Sequence, residues 1–320
     1  MAVRKVEEEI ERLGALRDAP EREAVPALAR ALGDRVNLIV GKAAAIAGER
    51  GLRQLVPDLL RAFARLLERG AQRDPQCRGK DAVARALVAL DHRESAPYLS
   101  GVRHIQMEPV WGGQADTAAN LRGTCVLALA ACSDIPREET LQAMVDALAD
   151  AADVVRVEAV RALTQVPGEE GALLLRLKAR LGDKALQVTG QVFDGLLALK
   201  GDSAVPLVAG FLKDADEALS AEAALSLGAS RLSGAVEALI ASWEKSRDPE
   251  RRQAAMRGLA VSRSERALDF LLGLVKDAPA RDARFAIEAL SVHRASEEIR
   301  RRVEAAADGR EPEVRGALHW

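Results

Sequence analysis

The sequence predicts an all-α fold built as a solenoid, in which similar pairs of helices stack one after another. Apolar residues make up 48% of the 320 residues, but they are mostly Ala, Leu and Val, and aromatic residues contribute only 3%. A deep single core usually relies on large aromatic side chains, whereas Ala and Leu are strong helix formers that let helices approach closely. A motif that returns at a nearly constant spacing supports the same prediction.

An aspartate recurs at one step of this motif. Two segments that begin at Ala24 and Ala204 share the order of a Pro, an Asp eight residues later and an Ala-rich helix. The full register consists of Asp34, Asp150, Asp183, Asp214, Ser246, Asp277 and Asp308, in which Ser246 takes the place of an Asp. From Asp150 onward the spacing is 31 to 33 residues, which is typical of repeats made of two helices.

Each repeat is predicted to contain a first helix, a turn at the Asp and a second, amphipathic helix. The Asp or Ser side chain can accept hydrogen bonds from the free N–H groups at the start of the second helix. A Pro at the start of the first helix has no hydrogen bond to lose. The first helices are expected to begin near Pro26, Pro57, Pro97, Thr140, Gly171, Pro206, Val236, Ala267 and Glu297. Buried positions of the second helices are expected to include Ala162, Leu163, Ala223, Leu225, Ala289 and Leu290.

These residues resemble the HEAT repeat. The resemblance lies in Ala-Val-Pro-x-Leu at residues 24–28, in the Leu-x-Asp turn, and in Val155-Arg156 or Val314-Arg315 at the start of a second helix. It covers roughly residues 20–320, and the short period is similar to that of the HEAT-like repeats of phycobilin lyases. The resemblance implies a right-handed superhelix of roughly nine repeats, with the second helices on a concave face. Members of this family usually bind proteins, some bind nucleic acid and a few are enzymes.

The predicted organisation is a single array over residues 1–320. Residues 1–20 are expected to form an N-terminal capping helix, and residues 297–320 a truncated last repeat. The second and third repeats carry long connections between their two helices, at residues 66–80 and 105–120. Since equivalent connections of a solenoid lie along one edge, these two are expected to be neighbours, and such insertions often lie on the binding face.

The connection at 105–120 contains the most unusual residues of the chain. One interpretation is a recognition loop, in which Trp111 is an aromatic anchor and Gln114 and Asp116 form specific hydrogen bonds. The other is that Trp111 folds back over a gap between helices, while Asp116 or Thr117 caps the next helix.

A basic row in the second repeat supplies further candidates for partner binding. Arg61, Arg65 and Arg69 are spaced at i, i+4 and i+8, where like charges destabilise a helix slightly. A phosphate or an acidic partner would compensate for this, and Arg65 and Arg69 are the candidates. A solvated helix face, with acidic residues interleaved, is the alternative.

The sequence offers no motif for catalysis, a cofactor or a metal. Gly41-Lys42 lacks the other residues of a phosphate-binding loop, and none of the four His is followed by Glu, as a di-iron hydroxylase of this fold would require. A net charge of −2 argues against nucleic acid as a partner. Three cysteines, the absence of an apolar leader and the absence of a long apolar run favour a cytoplasmic protein without a membrane span.

The predicted function is therefore a non-enzymatic scaffold or adaptor that binds protein partners. The binding surface is either the concave face or the edge formed by the long connections of repeats two and three. The alternative is a HEAT-like repeat enzyme or accessory protein, either similar to a bilin lyase or similar to a DNA glycosylase. A glycosylase would need an aromatic, basic cleft, for which one Tyr and three Trp are a poor supply.

Overall fold

The computed structural model describes residues 2–68 and 70–318, and the all-α prediction is confirmed. The α-helices are α1 Ala2–Gly14, α2 Glu21–Leu32, α3 Asn37–Glu49, α4 Val56–Leu67, α5 Gly70–Arg73, α6 Arg78–Ala89, α7 Ser95–Val102, α8 Ala119–Leu129, α9 Arg137–Leu148, α10 Asp153–Gln165, α11 Glu170–Leu181, α12 Leu186–Lys200, α13 Val205–Gly210, α14 Glu217–Ser230, α15 Ser233–Lys245, α16 Pro249–Ser262, α17 Glu265–Asp277, α18 Ala280–Leu290, α19 Glu297–Ala306 and α20 Pro312–Arg315.

The remaining regular structure is short. Single 3₁₀ turns occupy Ala15–Arg17, Arg53–Leu55, Pro75–Cys77, Gly201–Ser203, Phe211–Lys213 and Ser291–His293. Two strands, β1 Met107–Val110 and β2 Gly113–Asp116, form an antiparallel hairpin in which Met107 pairs with Asp116 and Val110 with Gly113. No single helix in the described part of the chain has the length and apolar character of a membrane span; the bent pair formed by residues 186–203 and 205–213 meets those criteria only when its two parts are taken together.

The helices follow the predicted repeat. Except for α1 and α5, they form consecutive first and second helices, from α2 with α3 to α19 with α20. Pro57 and Pro206 lie in the first turn of α4 and α13, as expected. The prediction for Pro26 is wrong, because α2 begins at Glu21 and Pro26 lies inside it. Two acidic residues in the first turn of α2 favour this extra turn, since they face the positive end of the helix dipole.

The recurring Asp and Ser side chains bond to the backbone just before the second helix, and not to the first N–H groups of that helix as predicted. Four of these carboxylates and the Ser246 hydroxyl each accept a hydrogen bond from the N–H two residues later, which belongs to the residue that precedes the second helix. The bonds are Val36 N to Asp34 (2.8 Å), Ala152 N to Asp150 (2.8 Å), Ala185 N to Asp183 (2.9 Å), Asp216 N to Asp214 (3.0 Å) and Asp248 N to the Ser246 hydroxyl (3.1 Å). They therefore hold the turn between the helices instead of capping the helix itself. Asp277 cannot form this bond, because Pro279 has no N–H.

The chain divides into two compact units, residues 1–167 and residues 168–320. In the first unit the second helices α3, α6, α8 and α10 pack against one another in order, and in the second unit α12, α14, α16 and α18 do the same. The contact between α14 and α16 is so close that a Cβ atom on Gly228 would lie 2.0 Å from the Gly258 carbonyl oxygen. Small residues are thus a requirement of the stack, which explains the Ala-rich composition.

The predicted core positions are confirmed with one exception. Five of the six named residues are buried, namely Ala162, Leu163, Ala223, Ala289 and Leu290. Leu225 is 39% exposed, so that prediction is wrong. The cause is an error of phase along α14: Leu227, which is fully buried, occupies the place of Leu163, and Leu225 lies two residues before it on another face.

We predict that Leu163→Ala lowers the free energy of unfolding by about 2–5 kcal/mol, because it leaves a cavity at a fully buried site. The matched control, Leu225→Ala, removes the same atoms from a partly exposed site and is expected to cost about 1 kcal/mol or less. Urea unfolding measures both values. Equal losses for the two variants would contradict the assignment of the buried face.

Candidate functional site: the hairpin edge

The two long connections are in direct contact. One, residues 68–77, joins α4 to α6, and the other, residues 103–118, joins α7 to α8 and contains the β-hairpin. The backbone N–H of Gln76 donates a hydrogen bond of 2.8 Å to Oε1 of Glu108, and Nε2 of Gln106 donates one of 2.9 Å to the carbonyl oxygen of Asp74. We call the surface formed by these two connections the hairpin edge.

A buried ion pair lies beneath the hairpin edge. Nζ of Lys80 is 3.3 Å from Oδ2 of Asp74, and both side chains are 0% exposed. The Asp74 carboxylate also accepts hydrogen bonds from the N–H groups of Gly79 (2.7 Å) and Lys80 (2.8 Å), in the first turn of α6, and from Nδ2 of Asn37 (2.8 Å). Nζ of Lys80 donates to Oε1 of Gln106 at 2.8 Å. A buried charge without such partners would be strongly destabilising, so these groups require one another.

Glu108 connects the hairpin to the residues around this buried ion pair. Its Oε1 accepts hydrogen bonds from the Thr117 hydroxyl, the Gln106 amide and the Gln76 backbone N–H. Burial by itself would raise the pKa of Glu108, but these hydrogen bonds outweigh it and hold the pKa below its ordinary value. The carboxylate therefore prefers its charged form, in which it accepts all three bonds.

Asp116 holds the other end of the hairpin. Its Oδ1 accepts from Ala118 N (3.0 Å) and Gln106 N (3.1 Å), and its Oδ2 lies 2.6 Å from Nη1 of Arg122, which also pairs with Asp150. Burial opposes ionisation of Asp116, yet these bonds keep its pKa below the ordinary value. Since Ala118 precedes α8, Asp116 is the turn aspartate of the third repeat. The contacts match the capping interpretation of this residue more closely than a partner-binding role.

Trp111 projects from the tip of the hairpin. It occupies the two-residue turn with Gly112, whose φ of +89° favours glycine, and its side chain is 102% exposed. The fold-back interpretation is therefore wrong for Trp111. Gln114 is exposed on β2, opposite Pro109. The other exposed large apolar side chains of the hairpin and its approach are Ile105, Met107 and Val110.

The basic row is positioned differently from Trp111. Nη2 of Arg65 donates hydrogen bonds to the carbonyl oxygens of Leu32 (2.7 Å) and Asp34 (3.1 Å), so the guanidinium satisfies acceptors at the end of α2. Arg61 pairs with Asp58 within its own helix. Arg69 lies outside the described residues. The structure thus brings together Trp111, Gln114 and Asp116, and gives Arg65 a contact within the repeat stack.

The sequence analysis missed the residues that fix the edge in place. Asp74 and Asp116 are the turn carboxylates of the second and third repeats, and they could have been found by allowing an insertion before the register position. Lys80, Gln106 and Glu108 carry no periodic signal. These three residues are joined by hydrogen bonds only in the folded structure, where the two connections are in contact.

The described cysteines are not arranged for nucleophilic chemistry. Burial raises the pKa of the Cys132 thiol to about 11 and that of Cys77 to about 12, and it raises the pKa of Cys125 as well. The reactive thiolate is therefore scarce near neutral pH. Within residues 2–68 and 70–318, no group of three or more His, Cys, Asp or Glu side chains is arranged to hold a metal ion.

A groove on the second helices of the first unit is the other candidate surface. It runs over α6, α8 and α10, and its polar lining residues are Arg85, Asn120, Thr124, Glu158, Arg161 and Gln165. Both cations are already paired with carboxylates of their own helices, Arg85 with Asp81 (3.1 Å) and Arg161 with Glu158 (2.8 Å). The groove therefore has fewer uncommitted charged groups than its composition indicates.

The fold and the hairpin edge define an α-helical repeat protein with a β-hairpin inserted between the two helices of its third repeat. Residues 174–260 and 204–291 match the family model of HEAT repeats. Residues 174–291 therefore contain HEAT repeats, as the aspartate register predicts.

Solved structures of low sequence identity are similar in part. YibA from Escherichia coli is 16% identical, with 84% of this chain and 95% of that chain covered and a TM-score of 0.43. The CpcE–CpcF complex of phycocyanin lyase from Nostoc is 17% identical, with coverage of 77% and 92% and a TM-score of 0.38. The condensin Cnd3–Cnd2 subcomplex of S. pombe is 20% identical, with coverage of 81% and 37% and a TM-score of 0.45. Among curated proteins, none matches the sequence.

We predict that Lys80→Met lowers the free energy of unfolding by about 3–5 kcal/mol, because it leaves the Asp74 carboxylate buried without its cation. Lys276→Met, at an exposed position of α17, is the matched control and is expected to cost about 0.5 kcal/mol or less. Urea unfolding compares the two. A Lys80 variant as stable as its control would show that the ion pair does not hold the connection.

The hairpin edge is also expected to weaken in acid. The pKa values of Glu108 and Asp116 are lowered from ordinary values of 4.5 and 3.8, so their contribution to stability is fully present above those values. It is lost as the pH falls below them through the lower pKa values of the folded state. Unfolding free energy measured against pH should therefore fall less steeply in Glu108→Gln than in the parent. Glu7→Gln, at an exposed site, should retain the parental slope, and an unchanged slope in Glu108→Gln would refute the assignment.

Proposed function

We propose that the chain is a non-enzymatic protein–protein interaction scaffold, and that the hairpin edge binds the partner with Trp111 as the anchor. The observation that carries the proposal is the complete exposure of Trp111 at the tip of a hairpin whose base is fixed by buried charges. Exposed Trp side chains on rigid supports are typical energetic centres of protein interfaces.

The rigid base supports high affinity. Binding requires the contact residues to become ordered, and that entropic loss is smaller where the free protein already holds them in place. Here Glu108 accepts a hydrogen bond from Gln76 N–H of the other connection, and Asp116 pairs with Arg122 of α8. Trp111 therefore projects in a defined direction before any partner arrives.

The shape of the tip indicates the shape of the partner. A convex tip with Trp111 next to the exposed Val110 fits a concave apolar pocket. Gln114 lies on the same hairpin and is free to form hydrogen bonds at the rim of such a pocket. A cytoplasmic, reducing compartment is consistent with the three free cysteines.

The test compares the intact chain with Trp111→Asn in affinity capture from native cells, with mass spectrometry to identify the partner. Asn is a favoured turn residue and Gly112 is retained, so this substitution removes the aromatic ring and leaves the turn chemistry in place. The variant should lose the partner by a factor of about ten or more, since a truncated Trp anchor typically costs at least 2 kcal/mol.

Val145→Asn is the control, because Val145 is an exposed apolar residue on α9 and outside the hairpin edge. It should recover the partner at the parental level. If Trp111→Asn remains folded by circular dichroism and still recovers the same partner in full, the hairpin is not the binding site. The groove over α6, α8 and α10 would then be the surface to mutate.

A further inference from the structure

A stripe of exposed leucines runs along α11. Leu173, Leu177 and Leu181 are spaced at i, i+4 and i+8 and are 64%, 55% and 75% exposed. At about 100° per residue they share one face of the helix. The opposite face is buried, with Ala172 and Leu175 among its core residues. The stripe therefore plays no part in packing α11 into its own unit.

The repeat itself does not require leucine at these three places. Aligning the buried residues of the first helices in the second unit identifies the equivalent positions. They are Pro206, Gly210 and Asp214 in the α13 repeat, Glu237, Ala241 and Lys245 in α15, and Asp269, Gly273 and Asp277 in α17. None of these is a large apolar residue. The leucines of α11 therefore depart from the repeat pattern, and packing within the repeat does not explain them.

Three cations accompany the stripe. Arg176, Arg180 and Lys184 are exposed, and in the described part of the chain none of them has a carboxylate partner. Other lysines near α11 are paired: Lys178 lies 2.8 Å from Asp183, and Lys200 lies 2.6 Å from Glu169. The unpaired cations thus coincide with the exposed leucines.

We propose that this face of α11 docks an acidic amphipathic helix of a partner protein. The three leucines span about 12 Å of helix, which is just over two turns and matches the contact that a single crossing helix makes. Arg176 and Arg180 lie on one flank of the stripe, whereas Leu174 and Lys178 on the other flank are partly buried. A row of carboxylates beside the apolar stripe of the incoming helix would pair with that single basic flank.

The one-sided charge distinguishes this partner from two others. A helix that lies on an anionic membrane presents cations over its whole polar face, around the apolar one. A second copy of this chain would meet the face with the same patch, which places like charges near one another. The α11 surface and the hairpin edge consist of different residues, so each proposal can fail while the other stands.

The test uses a fluorescein-labelled synthetic peptide of about 18 residues, or five helical turns, with leucines along one face and glutamates on one flank. Fluorescence anisotropy measures its binding to the full chain. Leu177→Glu should weaken binding by about tenfold or more, as should Arg176→Glu combined with Arg180→Glu. A peptide with lysines in place of the glutamates should recover binding to the charge-reversed variant.

Three controls define the result. Val292→Glu makes the same change at another exposed apolar residue of the second unit and should leave binding unchanged, as should Trp111→Asn. A peptide of the same composition with its leucines spread around the helix should bind at least tenfold more weakly.

The proposal is overturned if the patterned and spread peptides bind equally or not at all. It is also overturned if vesicles of phosphatidylserine and phosphatidylcholine, but not the peptide, bind through Leu177. Dimerisation of the chain that Leu177→Glu abolishes would overturn it in favour of a second copy.

Discussion

The hydrogen bond that a backbone N–H donates to a turn side chain two residues earlier determines how most of the helix pairs are built. In the regular repeats this bond joins Asp34 to Val36 or Asp150 to Ala152 at 2.8 Å, and it precedes the second helix by one step. It fixes the direction in which the second helix leaves the turn. Since the second helices then stack on one another through small residues, a small error in that direction would accumulate along a unit. The close approach of Gly228 to Gly258 shows how little tolerance the stack has.

The insertions respect this constraint. In the third repeat the extra residues precede Asp116, which still accepts from Ala118 N at 3.0 Å. In the second repeat Asp74 accepts directly from the N–H groups of Gly79 and Lys80, in the first turn of α6. The added chain thus leaves the connection to the second helix intact. Long connections are accordingly compatible with a regular stack, and their entropic cost grows only slowly with length.

The predictability of the molecule follows from the range of the interactions involved. Helix pairs, the Asp turn and Leu163 in the core depend on local sequence and on a repeat that averages over many copies, so the sequence predicted them. Pro26 and Leu225 were predicted wrongly because each required an exact position within a helix, which the repeat specifies only to within a few residues. The hairpin was missed for a different reason. Its strands are four residues each, and they are stabilised by contacts that no local pattern announces, such as the one from Gln76, 32 residues before Glu108.

The buried pair of Asp74 and Lys80 explains how a short hairpin can be held rigidly. An isolated two-stranded hairpin is only marginally stable in water. A hydrophobic base of similar size would hold it as strongly, since buried ion pairs often add little net stability over apolar packing. Charges nevertheless specify geometry, because the donors around a buried carboxylate must lie at hydrogen-bond distance from it and point toward it. Lys80 reaches both Asp74 and Gln106, and Gln106 in turn reaches the Asp74 carbonyl. The two connections are therefore held in one position relative to each other, and this position determines the orientation of the hairpin that carries Trp111.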